Sequence, residues 1–183
     1  MGVFIMSNKK QYFITSITLG AIAAVAAGLI GLANLVTKDR IAQNEINKLN
    51  AGLAEIYGEN ATFGDETIIE GDYQYLTCYY EASINDNVVG YIYRASGSNN
   101  YGKVTLLAGI DIITNNVRGI NLLVNEQTYA TTLQENYIDV INSTKNFDDV
   151  DVSCGATYGA KLVKAMINEA RDYQSEHFNE GGN

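Results

Sequence analysis

Two runs separated by a short polar break decide the fold. The first is Tyr73-Gln74-Tyr75-Leu76-Thr77-Cys78-Tyr79-Tyr80-Glu81-Ala82-Ser83-Ile84, the break is Asn85-Asp86-Asn87, and the second is Val88-Val89-Gly90-Tyr91-Ile92-Tyr93-Arg94-Ala95. Aromatic and β-branched residues dominate both runs, and asparagine and aspartate tolerate the backbone of a tight turn, so the pair reads as a β-hairpin. A glycine- and asparagine-rich loop is expected over 96–102. Further strands are expected over 104–111 and, past Asn115-Asn116, over 117–124. Consecutive hairpins predict an antiparallel sheet with helices on one side, an α+β domain.

Upstream of the sheet, residues 59–66 read as a polar connection and residues 41–57 as a helix ended by Gly58. Ile46, Leu49, Leu53 and Ile56 recur at spacings of three and four, an apolar seam that suits packing on the domain's own sheet. Further back, residues 11–37 contain no Asp, Glu, Lys or Arg. At about 1.5 Å per residue that run outreaches a hydrocarbon core of about 30 Å, so a transmembrane helix is expected. Ala24-Val25-Ala26 resembles a signal-peptidase site, but the apolar run continues to Val36, which favours an uncleaved anchor. Gly20, Ala24 and Gly28 repeat every four residues and offer a face for a neighbouring membrane helix. Downstream, residues 133–141 read as a helix, 142–149 as a polar loop, and a final amphipathic helix runs to about Tyr173. The expected layout is a leader (1–10), a transmembrane helix (11–37), a linking amphipathic helix (38–58), an α+β domain (59–174) and a polar tail (175–183).

The net charge is −9, yet Lys9, Lys10, Lys38 and Arg40 face only Asp39 in the first forty residues. The remainder is therefore more acidic than the whole, and such a surface repels nucleic acid and anionic headgroups. Cys78, Cys154 and His177 are the only Cys and His residues, with no metal-ligand spacing among them, so no metal site is expected. Two readings stay open for the cysteines: a Cys78–Cys154 disulfide in an oxidising compartment, or two unpaired thiols, the reading favoured here.

The stretch Asp151-Val152-Ser153-Cys154-Gly155-Ala156-Thr157-Tyr158 opens the last helix. A helix N-terminus gathers unpaired N–H groups and partial positive charge, which suits a phosphate. A tight loop with an N-cap is the alternative on these residues alone. The stretch resembles the flavinylation motif D-x-x-(S/T)-G-A-T of membrane-anchored FMN-binding domains. Such domains are found in the G component of the Rnf electron-transport complex and the C component of the sodium-pumping NADH:quinone reductase. Asp151, Gly155, Ala156 and Thr157 match the motif, while Cys154 stands where Ser or Thr is usual. The resemblance extends to Gly102-Lys103-Val104-Thr105-Leu106-Leu107-Ala108-Gly109-Ile110-Asp111 and Val117-Arg118-Gly119-Ile120 in the sheet. The family's Glu-Thr-Pro-Gly-Leu-Gly loop is replaced by Glu126-Gln127-Thr128-Tyr129-Ala130-Thr131-Thr132.

The resemblance implies FMN joined covalently to Thr157 through a phosphoester and added by a FAD-dependent flavin transferase. Asp151, Ser153, Cys154, Gly155, Ala156 and Tyr158 would surround the attachment point. Thr128 and Tyr129 either line the isoalloxazine ring or are ordinary turn residues. The resemblance also implies a cytoplasmic N-terminus, a domain outside the cytoplasm and partner membrane subunits met through the anchor. No residue reads as a general base, nucleophile or metal ligand for turnover. The expectation is therefore an electron-carrying subunit of an Rnf-type ion-translocating oxidoreductase, not a stand-alone catalyst. The alternatives are a stand-alone anchored flavoprotein serving extracellular acceptors, a scaffold without flavin, and a pilin-like structural protein. The last lacks the Gly-Phe-Thr-x-x-x-Glu signature, since no acidic residue precedes Asp39.

Overall fold

The computed structural model describes the backbone of residues 3–178, with the side chains of that range except residues 3–11, 28–43 and 45. In chain order the elements are α1 (Val3–Tyr57), β1 (Thr62–Phe63), β2 (Thr67–Ile68), β3 (Leu76–Ile84), β4 (Asn87–Asn99), β5 (Gly102–Asp111) and β6 (Val117–Asn125). They continue with α2 (Ala130–Leu133), a π-helical turn (Gln134–Ile138), α3 (Asp139–Thr144) and α4 (Thr157–Phe178). The chain divides into two compact units, Met1–Asn47 and Lys48–Asn183.

The first unit contributes helix alone. Its described side chains include exposed Tyr12, Phe13, Ile14, Ile17, Leu19 and Ile22. Among the described residues, no helix is long and apolar enough to cross a membrane. The run expected over 11–37 as a transmembrane helix is helical throughout, and its described side chains, 12–27, are exposed. At about 1.5 Å per residue that portion falls short of a core of about 30 Å. The side chains of residue 11 and of 28–37, which complete the expected span, lie outside the described ones, as does the side of the small-residue face at Gly28.

In the second unit the sheet is a meander in the order β1-β3-β4-β5-β6, all antiparallel, with β2 also pairing with β3. The break between the two deciding runs is a mirror-image turn, with Asn85 at φ 51° and Asp86 at φ 61°, whose twist matches that of the flanking strands. Alternation along the strands sends side chains to two cores. One face carries Tyr91, Tyr93, Leu106, Ala108 and Ile110 against Leu133, Ile138, Val163 and Met166 of the later helices. The other carries Cys78, Tyr80, Ile92 and Leu107 against Leu53 and Ile56 of α1. Helices thus cover both faces, not one. The seam of α1 supplies the second layer, and each fully buried Leu or Ile there contributes about 1.5–3 kcal/mol. Ile46, at the start of the predicted seam, is exposed.

Four local expectations change. The loop expected at 96–102 is mostly strand, because β4 runs to Asn99 and pairs Ser96 with Thr105 and Gly97 with Val104. Gly97 marks a close approach: a Cβ there would stand 2.7 Å from the Met166 methyl. The polar connection at 59–66 contains β1, whose Thr62 and Phe63 pair with Ser83 and Ala82. The loop expected at 142–149 is helix as far as Thr144, and Phe147 is buried. The tail expected from 175 starts later, because α4 continues to Phe178 and stacks that ring on Tyr91 at 4.0 Å. Cys78 and Cys154 are both free thiols, packed on opposite faces of the sheet.

Candidate functional site at the start of α4

The loop leading to α4 is shaped by its own side chains. Asp151 Oδ1 accepts a hydrogen bond from the Ser153 N–H at 2.9 Å, which tightens the first bend. Asn136, on the π-helical turn, donates through Nδ2 to the Cys154 carbonyl at 3.0 Å and moors the loop from below. Gly155 then sits at φ +90°, a left-handed conformation natural to glycine. Ala156 follows at the N-cap position, and its carbonyl accepts the first helical bond, from the Ala160 N–H at 3.0 Å.

Alanine has no side-chain acceptor, so the cap is missing. Among the described residues nothing accepts from the N–H groups of Thr157, Tyr158 or Gly159, and nothing pairs with the Thr157 hydroxyl. These groups open on a cleft of ≈ 280 Å³ lined by residues 155–159 with Tyr101, Gln127 and Tyr129. Tyr101, at the β4–β5 turn, stacks on Tyr158 with centroids 4.9 Å apart and planes 20° apart, forming one wall. Open N–H donors, the positive end of a 22-residue helix and a free hydroxyl make this a place that can hold an anionic ester.

Of the residues singled out in the sequence, Gly155, Ala156, Thr157, Tyr158 and Tyr129 meet at this cleft. Asp151, Ser153 and Cys154 line a separate, shallower groove with Asn136 and Asp149. Thr128 turns away, its N–H and hydroxyl both donating to the Tyr101 carbonyl. Sequence reasoning passed over Tyr101, Gln127 and Gly159. A tyrosine at a hairpin tip, where solvent is expected, was the available signal for Tyr101. Nothing in the sequence marks Gln127 as buried.

Beneath the loop lies Tyr137, fully buried, whose hydroxyl is without a hydrogen-bond partner among the described residues. Burial, with a smaller contribution from the Cys154 thiol, pushes its pKa up to about 12. Cys78, on the other face, is also raised, chiefly by burial. Among the described residues no cluster of His, Cys, Asp or Glu could hold a metal ion.

Comparison with known proteins adds two findings. A family model of the RnfG N-terminal region matches residues 6–56. The G component of the ion-translocating oxidoreductase complex of Methanosarcina acetivorans is 27% identical over 184 residues, covering 93% of this chain and 98% of that protein. Both findings support a relationship to the Rnf G subunit. The two matches are complementary, since the first covers most of α1 and the second extends across the sheet and α4. The cleft therefore lies in the part reached by the longer match alone.

Proposed function

We propose that this chain is a membrane-anchored, electron-carrying subunit of an Rnf-type ion-translocating oxidoreductase, with FMN joined to Thr157 by a phosphoester. The observation that carries the reading is the first turn of α4: an unengaged Thr157 hydroxyl beside three open N–H donors, behind an N-cap position occupied by Ala156. The N–H groups of Thr157, Tyr158 and Gly159 meet the phosphate charge left after esterification. Gly155 keeps the backbone open on that side. In attachment, the Thr157 O–H is exchanged for an O–P bond while the FAD pyrophosphate bond breaks, and AMP leaves with the proton. A separate flavin transferase carries out this step.

A bound flavin would supply the exchange of electron pairs for single electrons. The chain's own contribution is retention and position. Tyr101 and Tyr158 wall the cleft on one side, and Tyr129 flanks it with its side chain exposed. A volume of ≈ 280 Å³ suits the phosphate and its sugar-alcohol chain better than a whole flavin. Residues 155–159 would hold the phosphate end of the group, with Tyr101 and Tyr129 beside it. The apolar run over 11–37 is the anchor in this reading, with the domain outside the cytoplasm and other membrane subunits as partners.

The test is in-gel ultraviolet fluorescence of the denatured full-length chain after co-expression with a flavin transferase, with Thr157→Ala alongside. The expected result is a fluorescent wild-type band and a dark variant. A dark wild-type band, with the transferase active on another substrate, would turn the reading toward a scaffold without flavin. A fluorescent Thr157→Ala band would move the attachment point elsewhere.

A further inference from the structure

On the face of the sheet opposite α4, Leu53 and Ile56 of α1 pack on Ile92 and Leu107. Farther along the same two strands, toward the β4–β5 turn, Arg94, Ser96, Thr105 and Lys103 line a hollow of ≈ 300 Å³. Strand register sets their order: Arg94 pairs with Leu107, Ser96 with Thr105, and Ser98 with Lys103. The two hydroxyls thus share a middle rung, with one cation beyond it on each side. At about 3.3 Å per residue, the two cationic side chains leave the backbone roughly 13 Å apart along the strands.

These groups offer donors and lack acceptors. Thr105 is 5% exposed, so its hydroxyl lies at the floor of the hollow. Thr105 Oγ1 and Ser96 Oγ are 3.0 Å apart and share one hydrogen bond, whichever of them donates. Two hydroxyls carry two protons, so one proton is left over, and among the described residues nothing accepts it. The half-buried Arg94 guanidinium and the exposed Lys103 ammonium are likewise without an acceptor among the described residues, whereas Arg118 and Arg171 pair with Asp111 and Asp148. The carboxylate in the lining, Glu66, is turned to Tyr80, whose hydroxyl donates to Oε2 at 2.5 Å. Burial raises the pKa of the neighbouring Cys78 thiol, so it supplies no counter-charge at neutral pH. In a chain of net charge −9, two cations left unpaired around a spare hydroxyl proton form a donor set that suits an anion.

We infer that this hollow binds a small dicarboxylate: one carboxylate forks onto the Arg94 guanidinium, the other meets the Lys103 ammonium, and the carbon chain crosses the Ser96–Thr105 rung. The spare hydroxyl proton of that rung is donated to a carboxylate oxygen. A planar guanidinium matches a carboxylate through two parallel N–H donors, and an ammonium serves as a point charge for the second. Cations set on either side of a rung fit two separated charges, so a compact dianion such as inorganic phosphate meets them one at a time. Ile68, largely exposed at the rim, offers apolar surface to the carbon chain. The site is independent of the cleft at Thr157, with which it shares no lining residue.

The test is titration of the full-length chain in detergent with glutarate, butyrate and inorganic phosphate, followed by proton–nitrogen correlation spectra. Glutarate should shift the Ser96 and Thr105 amide signals and the Arg94 Nε–H signal. It should bind about tenfold more tightly than butyrate, the same chain lacking one carboxylate, on the scale of one charge-assisted hydrogen bond. Lys103→Gln, at an exposed position, should bring glutarate to the level of butyrate and leave butyrate binding unchanged. Equal affinity of the wild type for glutarate and butyrate overturns the two-ended site, as does a Lys103→Gln chain that keeps the full preference. Phosphate that moves the same signals as tightly as glutarate overturns the dicarboxylate class. Spectra in which these signals stay still, or in which only residues 157–159 respond, overturn the site itself. The comparison of the three anions on the wild type requires no variant, so it decides the matter whether or not Lys103→Gln folds.

Discussion

The first turn of α4 leaves the N–H groups of Thr157, Tyr158 and Gly159 open to a cleft. Its last turns do the opposite: Tyr173 packs edge-on to Tyr73 and Tyr93, His177 stacks on Tyr173, and Phe178 stacks on Tyr91. The same helix thus has an end where polar groups wait for a partner and an end where apolar rings have found theirs. Stability and function are separated along its length. Ring packing at the far end can hold α4 on the sheet, so the near end can keep its donors uncapped at small cost. Glu169, between the two, reinforces the anchoring by accepting from the Gln74 and Tyr75 N–H groups at 2.6 and 2.8 Å.

Thr157→Ala puts this contrast to its hardest test. Covalent flavin should fall to background, while thermal unfolding of the apo chain shifts little, within about 0.5 kcal/mol, because the hydroxyl has no partner to lose. A large drop in stability would mean that the near end is structural after all. Next in size is Phe178→Ala, expected to cost about 3 kcal/mol in urea unfolding through the loss of ring contacts. Its folded molecules should still accept the flavin label. An equal loss of labelling per folded molecule would show that the two ends are coupled.

Tyr137→Phe tests the floor under the loop. Removing an unpartnered buried hydroxyl should stabilise the chain by about 1 kcal/mol at pH 7, read by the same urea unfolding. Its pH dependence has a definite sign. The folded pKa of Tyr137, about 12, lies above its ordinary value of 10.0, so the native state keeps a proton that the unfolded state releases. The associated stability is fully present below pH 10 and is lost as pH rises toward 12. Tyr57, Tyr80 and Tyr93 are raised in the same direction, mainly by burial, so Tyr137→Phe should reduce the alkaline slope without abolishing it. An unchanged slope would mean that Tyr137 does not titrate with unfolding. The smallest expected effect is Ala156→Ser. A hydroxyl at the N-cap should stabilise α4 by about 0.5–1 kcal/mol and, by engaging an N–H group, reduce binding of phosphate monoesters measured by titration. Stabilisation with undiminished binding would separate the open donors from the phosphate.

Much of the sheet was legible because strand signals are local. The hairpin at Asn85-Asp86, the strands over 104–111 and 117–124, and the stop at Gly58 follow from alternation and turn chemistry. The seam of α1 was readable for the same reason, as a helical period over Leu49, Leu53 and Ile56. The strand over 96–99 was missed because Gly97 and the asparagines carry turn signals locally. Its glycine serves the approach of Met166, a residue far away in sequence. The last turn of α4 was missed because Ser175, Glu176 and His177 read as polar tail, whereas Phe178 is held by Tyr91 of β4.

The amino-acid sequence alone establishes the α+β class, the order of the strands along the chain, and the small-residue loop that leads into a helix at Thr157. Those rest on the intrinsic preferences of neighbouring residues. Tertiary packing decides that helices cover both faces of the sheet and that Asp151 and Thr157 line different hollows. It also brings Tyr101 and Gln127 to the mouth of α4. A cleft is bounded by groups that meet through packing and hydrogen bonds across long stretches of chain. Asn99 reaching the Tyr158 carbonyl and Gln127 reaching the Gly102 carbonyl are contacts that no local pattern encodes.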